Sequence, residues 1–341
     1  MFIDAFLGFN EVQLAKFRID YLSEFIDRTI VLESKLTHSG IQKPLFFKEW
    51  IRTEMNLNEK VEIIEVDLSQ IEGVWQRERF SRRYLYEYII SKYPNSRFIL
   101  SDCDEIPSKE QMKELQTKDT YMKFSTITYF RRANFRVAGG RNENWNRGIY
   151  GLTSLPQIAD GGRFTKLPTS FSHSPGGHFS YLNYSHDHIQ VKIESFGHQE
   201  LNYETIKSAD FVKFCDKYSL NHIGGARTSG FGLLHVSRIE DLTPIQKSLY
   251  EFEPTFFDFR RTNSHLAHRI LGSLVVSTIF NDQRSRRVVF DFFVMCKKNH
   301  VIWPIFAVLI ETLKVLLCQI RRFLLRNFFR KHLASKNLVT Q

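Results

Sequence analysis

The chain is 341 residues long, 43% hydrophobic and 14% aromatic, with 25% charged residues and a formal net charge of +10. That is enough apolar material for one large or two modest domains, and it excludes a disordered chain, a collagen-like chain and a small disulfide scaffold. The charge is uneven: residues 260–341 carry 15 Lys and Arg against 3 Asp and Glu, a balance of +12, whereas residues 1–259 carry 32 against 34, a balance of −2. A protein that coats nucleic acid would not segregate its positive charge in this way, so nucleic acid is not an expected partner.

Phe2 to Phe6 reads as a strand, and Glu11 to Phe25 as a helix, with Leu14, Phe17, Tyr21, Leu22 and Phe25 close to helical spacing. Thr29 to Leu32 and Val61 to Val66 are further strands, Trp75 to Lys92 is helical in composition, and Arg97 to Leu100 is a short buried strand. Strands alternating with helices predict a mostly parallel α/β sheet with helices on both faces. Residues 123–177 are richer in Gly, Asn, Arg and aromatics, with Gly139-Gly140, Gly161-Gly162 and Gly176-Gly177 as loop marks, and a more regular helix follows from His186 to Phe196. The composition shifts at about Arg260, which divides the chain into a body, 1–259, and a basic extension, 260–341. The four cysteines (Cys103, Cys215, Cys296 and Cys318) are far apart and unpaired in spacing, as expected of buried thiols in a reducing compartment. No secretory signal pattern follows Met1, so cytoplasmic residence is expected.

The most informative segment is Phe98-Ile99-Leu100-Ser101-Asp102-Cys103-Asp104-Glu105-Ile106-Pro107, an apolar strand that runs directly into an acidic turn. In open α/β sheets ligands bind beyond the carboxyl ends of the strands. Alternate positions of an extended segment point the same way, so Asp102 and Asp104 can converge on one hard divalent cation. Alone, such a pair is more often ordinary turn chemistry.

Its neighbours decide between these readings. Asp4-Ala5-Phe6-Leu7-Gly8-Phe9-Asn10-Glu11, the Glu33-Ser34 stretch within Ile30–Gly40, the Asp-x-Asp-Glu-Ile-Pro turn, Gly177-His178, and Lys192-Ile193-Glu194-Ser195-Phe196-Gly197-His198-Gln199-Glu200 follow in an order that resembles glycosyltransferase family 17. That is the family of β-1,4-mannosyl-glycoprotein β-1,4-N-acetylglucosaminyltransferase, and the resemblance covers about residues 2–255. It implies a GT-A-like, Rossmann-type fold with a nucleotide half (about 1–120) and an acceptor half (about 121–259). It also implies a nucleotide-sugar donor such as UDP-GlcNAc, a glycan acceptor, and a divalent metal (Mn²⁺ or Mg²⁺). By motif matching, Asp102 and Asp104 hold the metal and diphosphate, while Asn10, Glu11, Glu33 and Glu105 belong to the donor side. Glu11 could instead simply favour the start of the helix that follows it, and Glu33 could be an ordinary strand exit.

Transfer with inversion needs a carboxylate to accept the proton of the attacking hydroxyl. Glu200 is the first candidate and Asp187 the second; the alternative for Glu200 is a solvated carboxylate. His178 and His198 are candidates for a diphosphate contact and a late metal ligand, each against an ordinary structural hydrogen bond. Lys192 is placed to counter the diphosphate charge, against a solvated helix face. The arginines of Trp75–Arg83 either reach the diphosphate or solvate a helix packed through Trp75, Phe80 and Leu85.

In the extension, Val301 to Ile310 is continuously apolar, and Phe306, Leu309, Leu313, Leu316, Leu317, Ile320 and Leu324 continue a helical stripe. Arg321, Arg322, Arg326, Arg330 and Lys331 crowd its far end. This predicts an amphipathic helix on an anionic membrane surface, with a packed helix or a weak span as the alternatives. The expected protein is therefore a metal-dependent inverting glycosyltransferase, peripheral on the inner face of a membrane. Its rival is a non-catalytic carbohydrate-binding or scaffold protein on the same fold.

Overall fold

The computed structural model describes residues 1–259 except 54–58, 138–142, 159–165, 171–173, 183–184, 203–206, 208, 218, 220 and 222–233. The basic extension, with its expected membrane-surface helix, lies outside the described residues. The first strands and helices alternate as the sequence implies: β1 (Phe2–Leu7), α1 (Val12–Tyr21), β2 (Arg28–Glu33), α2 (Phe46–Thr53), β3 (Val61–Glu65), α3 (Val74–Lys92) and β4 (Arg97–Asp102). β3, β2, β1 and β4 lie side by side, all parallel. β1, β2 and β4 carry the apolar runs that strands covered on both faces require, while β3 is a half-buried edge strand. Ile3, Ala5, Ile30, Phe98 and Leu100 pack with Leu85, Tyr86 and Ile89 of α3. Phe6 and Val31 pack with Ala15 of α1 and with Phe47 and Trp50 of α2. α3 therefore buries Leu85, Tyr86 and Ile89 and packs Phe80 against the same cluster, as expected, while Trp75, expected in that contact face, is 37% exposed.

The Gly- and Asn-rich segment that follows is strand-rich, a pattern its composition did not announce. β6 (Met122–Phe124), β10 (Ile149–Leu152) and β11 (Thr169–Ser170) extend the first sheet beyond β4 to seven strands in the order β11-β6-β10-β4-β1-β2-β3, with β10 antiparallel to both neighbours. A second sheet has the order β13-β8-β7-β12-β5, built from β5 (Glu105–Ile106), β7 (Thr126–Phe130), β8 (Phe135–Val137), β12 (Gly176–Ser180) and β13 (Leu234–Val236), with β9 (Asn144–Trp145) beside β7. Strands of two to five residues separated by Gly- and Asn-rich turns leave little local signal; cross-strand pairing defines them. The remaining helices are α4 (Lys109–Leu115), α5 (His186–Ser195), α6 (Ala209–Lys217) and α7 (Pro244–Phe252). No described helix is long and apolar enough to cross a membrane.

The chain leaves the first sheet for the second at Cys103-Asp104, between β4 and β5. A fully buried guanidinium holds that crossing. Arg18 of α1 donates to both carboxylate oxygens of Asp4 (2.8 and 2.6 Å), to Ser101 Oγ (2.8 Å), and to the carbonyls of Asp102 (2.7 Å), Cys103 (3.2 Å) and Glu105 (3.0 Å). Burial works against the Arg18 charge, and the Asp4 carboxylate more than restores it. Bidentate, charge-assisted bonds of this kind are the strong ones. Beyond the turn, Ser108 and Gln111 form a reciprocal cap that starts α4. Gly176 lies so close to β5 that a Cβ there would sit 2.2 Å from the Ile106 carbonyl oxygen.

Removing the guanidinium strands a buried carboxylate and three turn carbonyls. Arg18→Met is therefore expected to lower the unfolding free energy by about 3–5 kcal/mol, read from urea denaturation. A loss below about 1 kcal/mol would contradict the role given to Arg18.

Candidate active site

A cavity of about 450 Å³ opens at the carboxyl ends of β1, β2 and β4 and is closed on its far side by the second sheet and α5. One wall comes from the loops after β1 and β2, with Gly8, Phe9, Ser34, Leu36, Thr37 and His38. The opposite wall carries Thr128, Trp145, His178, Tyr181, Lys192 and His198. The Asp102–Asp104 turn forms the floor between them, which is where an open α/β sheet places its ligands.

Asp102 projects into the cavity, its side chain 30% exposed and paired with Arg82 Nη2 at 2.5 Å. Arg82 is itself buried in α3 and also bonds Glu78 Oε1 at 3.3 Å. Asp104 is more enclosed, with Lys192 Nζ at 3.6 Å and His178 Nε2 at 3.8 Å from its Oδ2. Burial pushes the Asp104 carboxyl above its ordinary range, Lys192 and His178 pull it down, and the charges of Asp102 and Glu11 raise it again. Glu11 bonds Lys192 Nζ at 3.0 Å, so one ammonium lies against two carboxylates from different strand ends. His178 stacks on Trp145 with ring centres 5.0 Å apart, and its Nδ1 lies 3.5 Å from Thr128 Oγ1.

The structure brings Glu11, Asp102, Asp104, His178, Lys192 and His198 to one cavity. Other expected site residues stand elsewhere. Glu33 is 1% exposed below the cavity, where it accepts bonds from the Phe47 and Lys48 amides at the start of α2 and from Lys43 Nζ. Burial raises its carboxyl, and Lys43 and the amides oppose the rise. Glu105 is fully buried beneath the turn, bonded by Trp145 Nε1 at 2.5 Å and by the Asp102 amide at 3.1 Å. Its work there is to brace the turn and Trp145. Asn10 does not line the cavity; its amide donates to Glu11 Oε2 at 3.2 Å. Asp187 is outside it, 91% exposed at the start of α5 beside His186. Glu200 is also outside the lining, yet it bonds Nδ1 of His198, which lines the cavity, at 2.6 Å.

Sequence reasoning passed over the individual roles of Arg82, Glu78 and Trp145. Arg82 was one of four arginines in a row of candidates; its neighbours Ser81 and Leu85 on the buried helix face mark it as the one that points inward. Trp145 carried no signal, because the short strand that places it depends on pairing with β7.

Among the described residues, no group of three or more His, Cys, Asp or Glu side chains converges to hold a metal ion. His198 is engaged with Glu200 and against the edge of Trp75 (ring centres 4.5 Å apart), not gathered with Asp102 and Asp104. A pair of carboxylates nevertheless fits a hard divalent ion that takes its remaining ligands from a substrate diphosphate and water. The donor chemistry of Asp102 and Asp104 meets that requirement.

The glycosyltransferase family 17 model matches residues 1–213. The chain belongs to this family. Its activity is accordingly glycosyl transfer, and the matched region contains every cavity-lining residue discussed above. A comparison with curated proteins finds no match.

Cys103 lies at the centre of the turn with its thiol pushed well above the ordinary range, chiefly by burial and next by the charge of Glu11. In the native protein it should resist iodoacetamide at pH 8 and react once the chain is unfolded, as read by peptide mass mapping. Rapid labelling of native Cys103 would contradict the closed turn described here.

Proposed function

We propose that the chain is an inverting glycosyltransferase that moves GlcNAc from UDP-GlcNAc onto a glycan acceptor, with a divalent cation at Asp102 and Asp104. The observation that carries this reading is the pair of carboxylates on the floor of a cavity at the strand ends, flanked by Arg82 and Lys192. The loops with Gly8–Phe9 and Leu36–His38 offer a largely apolar slot for the nucleoside. Arg82 and Lys192 then face the diphosphate, where guanidinium and ammonium groups offset its charge. Bound to Asp102 and Asp104, a divalent ion would add neutralisation of the departing diphosphate.

The acceptor hydroxyl enters from the side of Trp145 and His198. As its oxygen bonds to the anomeric carbon, the bond to the diphosphate breaks and the hydroxyl proton passes to His198. Glu200, bonded to the other ring nitrogen, orients the imidazole and stabilises its charged form, as a carboxylate does in other His–carboxylate pairs. Glu200 thus keeps its place in proton transfer, one residue removed from the acceptor. The acceptor is proposed to be a lipid-linked or surface polysaccharide, reached at the inner face of a membrane through the basic extension.

Two sets of variants test this. Asp104→Ala should abolish transfer, and a chelator should do the same reversibly in the wild type; unchanged activity in either would contradict the cation reading. His198→Gln and Glu200→Gln should each lower kcat about 10²–10⁴-fold with little change in the KM for the donor. Equal wild-type kcat in both variants would remove the pair from the reaction.

A further inference from the structure

Lys192 reaches from the last turns of α5 across the cavity to the opposite wall. Its Nζ is 3.0 Å from Glu11 Oε1 and 3.6 Å from Asp104 Oδ2, and it lies 5.0 Å above the centre of the Tyr181 ring. The three polar side chains are largely enclosed, Lys192 being 15% exposed and Glu11 and Asp104 11% each. Carboxylates so enclosed need a positive partner, and without a ligand the ammonium supplies it. The position is the one a cation on Asp104 would contest. An ammonium 3.6 Å from the same carboxylate oxygen competes for its lone pairs and repels a divalent ion at short range, in a setting where water screens poorly.

The Lys192 backbone is held within α5, a helix capped by Ser185, whose hydroxyl accepts from the His188 amide. Its side chain is a flexible four-carbon stem with a point charge. Tyr181, with a left-handed backbone (φ 55°), lies beneath the charge and offers it an aromatic face.

We propose that Lys192 is a stand-in for the divalent cation. In the donor-free protein its ammonium neutralises Glu11 and Asp104; when cation and nucleotide arrive together, it turns from Asp104 onto the diphosphate oxygens. This rests on the reading of Asp104 as a cation ligand given above. Three consequences follow. The cation alone binds weakly, since it must push Lys192 off Asp104 and then sit close to an ammonium still held beside it by Glu11. The nucleoside diphosphate strengthens cation binding by giving the ammonium a new partner. By thermodynamic linkage the cation strengthens nucleotide binding by the same factor.

The test is calorimetric titration of the full chain with Mn²⁺, with and without saturating UDP, corrected for association of Mn²⁺ with UDP itself. In the wild type, UDP should tighten Mn²⁺ binding about tenfold or more, within the roughly 5- to 150-fold range of ordinary coupling. Lys192→Met, which keeps most of the stem, should bind Mn²⁺ alone more tightly than the wild type and lose most of the enhancement by UDP. Lys192→Arg keeps the charge and should behave like the wild type. The proposal is overturned if Lys192→Met binds Mn²⁺ alone no more tightly than the wild type, or if Lys192→Arg gains as much as Lys192→Met. If wild type binds no Mn²⁺ even with UDP, or if Asp104→Asn binds it equally well, the cation reading itself fails, and the stand-in role with it.

Discussion

A single buried guanidinium sets the geometry of the rest. Arg18 joins the carboxylate of Asp4 on β1, an inner strand of the first sheet, to three carbonyls of the turn where the chain passes from one sheet to the other. That turn must present two carboxylates upward while its own backbone oxygens lie in the protein interior. Unpaired, those oxygens would be costly to bury. Arg18 satisfies them with one rigid fork, and Glu105 completes the brace by accepting from the Asp102 amide below. The acidic turn is therefore held from the inside, and Asp102 and Asp104 are left to face the cavity.

The second constraint is electrostatic. Glu11, Asp102 and Asp104 come from two strand ends of the first sheet, and their counter-charges come from elsewhere: Arg82 from α3, Lys192 from α5. The cavity is lined by both sheets, and its charges are balanced partly within the first layer, by Arg82, and partly across the junction, by Lys192. In the stand-in role proposed for Lys192, its ammonium can move to an anionic ligand without leaving the carboxylates bare, provided that a cation comes with the ligand. Sheet crossing and charge balance are thus aspects of one arrangement.

The parts of this fold that were legible in the sequence are those whose signal is local. β1, β2 and β4 are buried on both faces, so Phe2–Leu7, Arg28–Glu33 and Arg97–Asp102 read as apolar runs of strand length. The second sheet was not legible, because strands such as Asn144–Trp145 or Glu105–Ile106 are two residues long and exist through their partners. α2 escaped for a related reason: eight residues with Phe47 and Trp50 on one side form a single short amphipathic stretch among charged neighbours. In the site, the carboxylates of the turn, Lys192 and the two histidines were readable from motif order. That order could not separate residues that line the cavity from residues that hold the frame. Glu33 and Glu105 are buried beside the cavity, a distinction fixed by their partners: the amides at the start of α2 for Glu33, the Trp145 indole and the Asp102 amide for Glu105.

The central claim is that the Arg18-braced turn forms the floor of a donor site. The most direct measurement is a crystal structure of the full chain with UDP and Mn²⁺, the metal located by its anomalous scattering. The account predicts the metal against the Asp104 carboxylate and the diphosphate, the uracil between Phe9 and the Leu36–His38 loop, and the Arg18 network unchanged. A nucleotide bound elsewhere, or a metal seated away from Asp104, would contradict it.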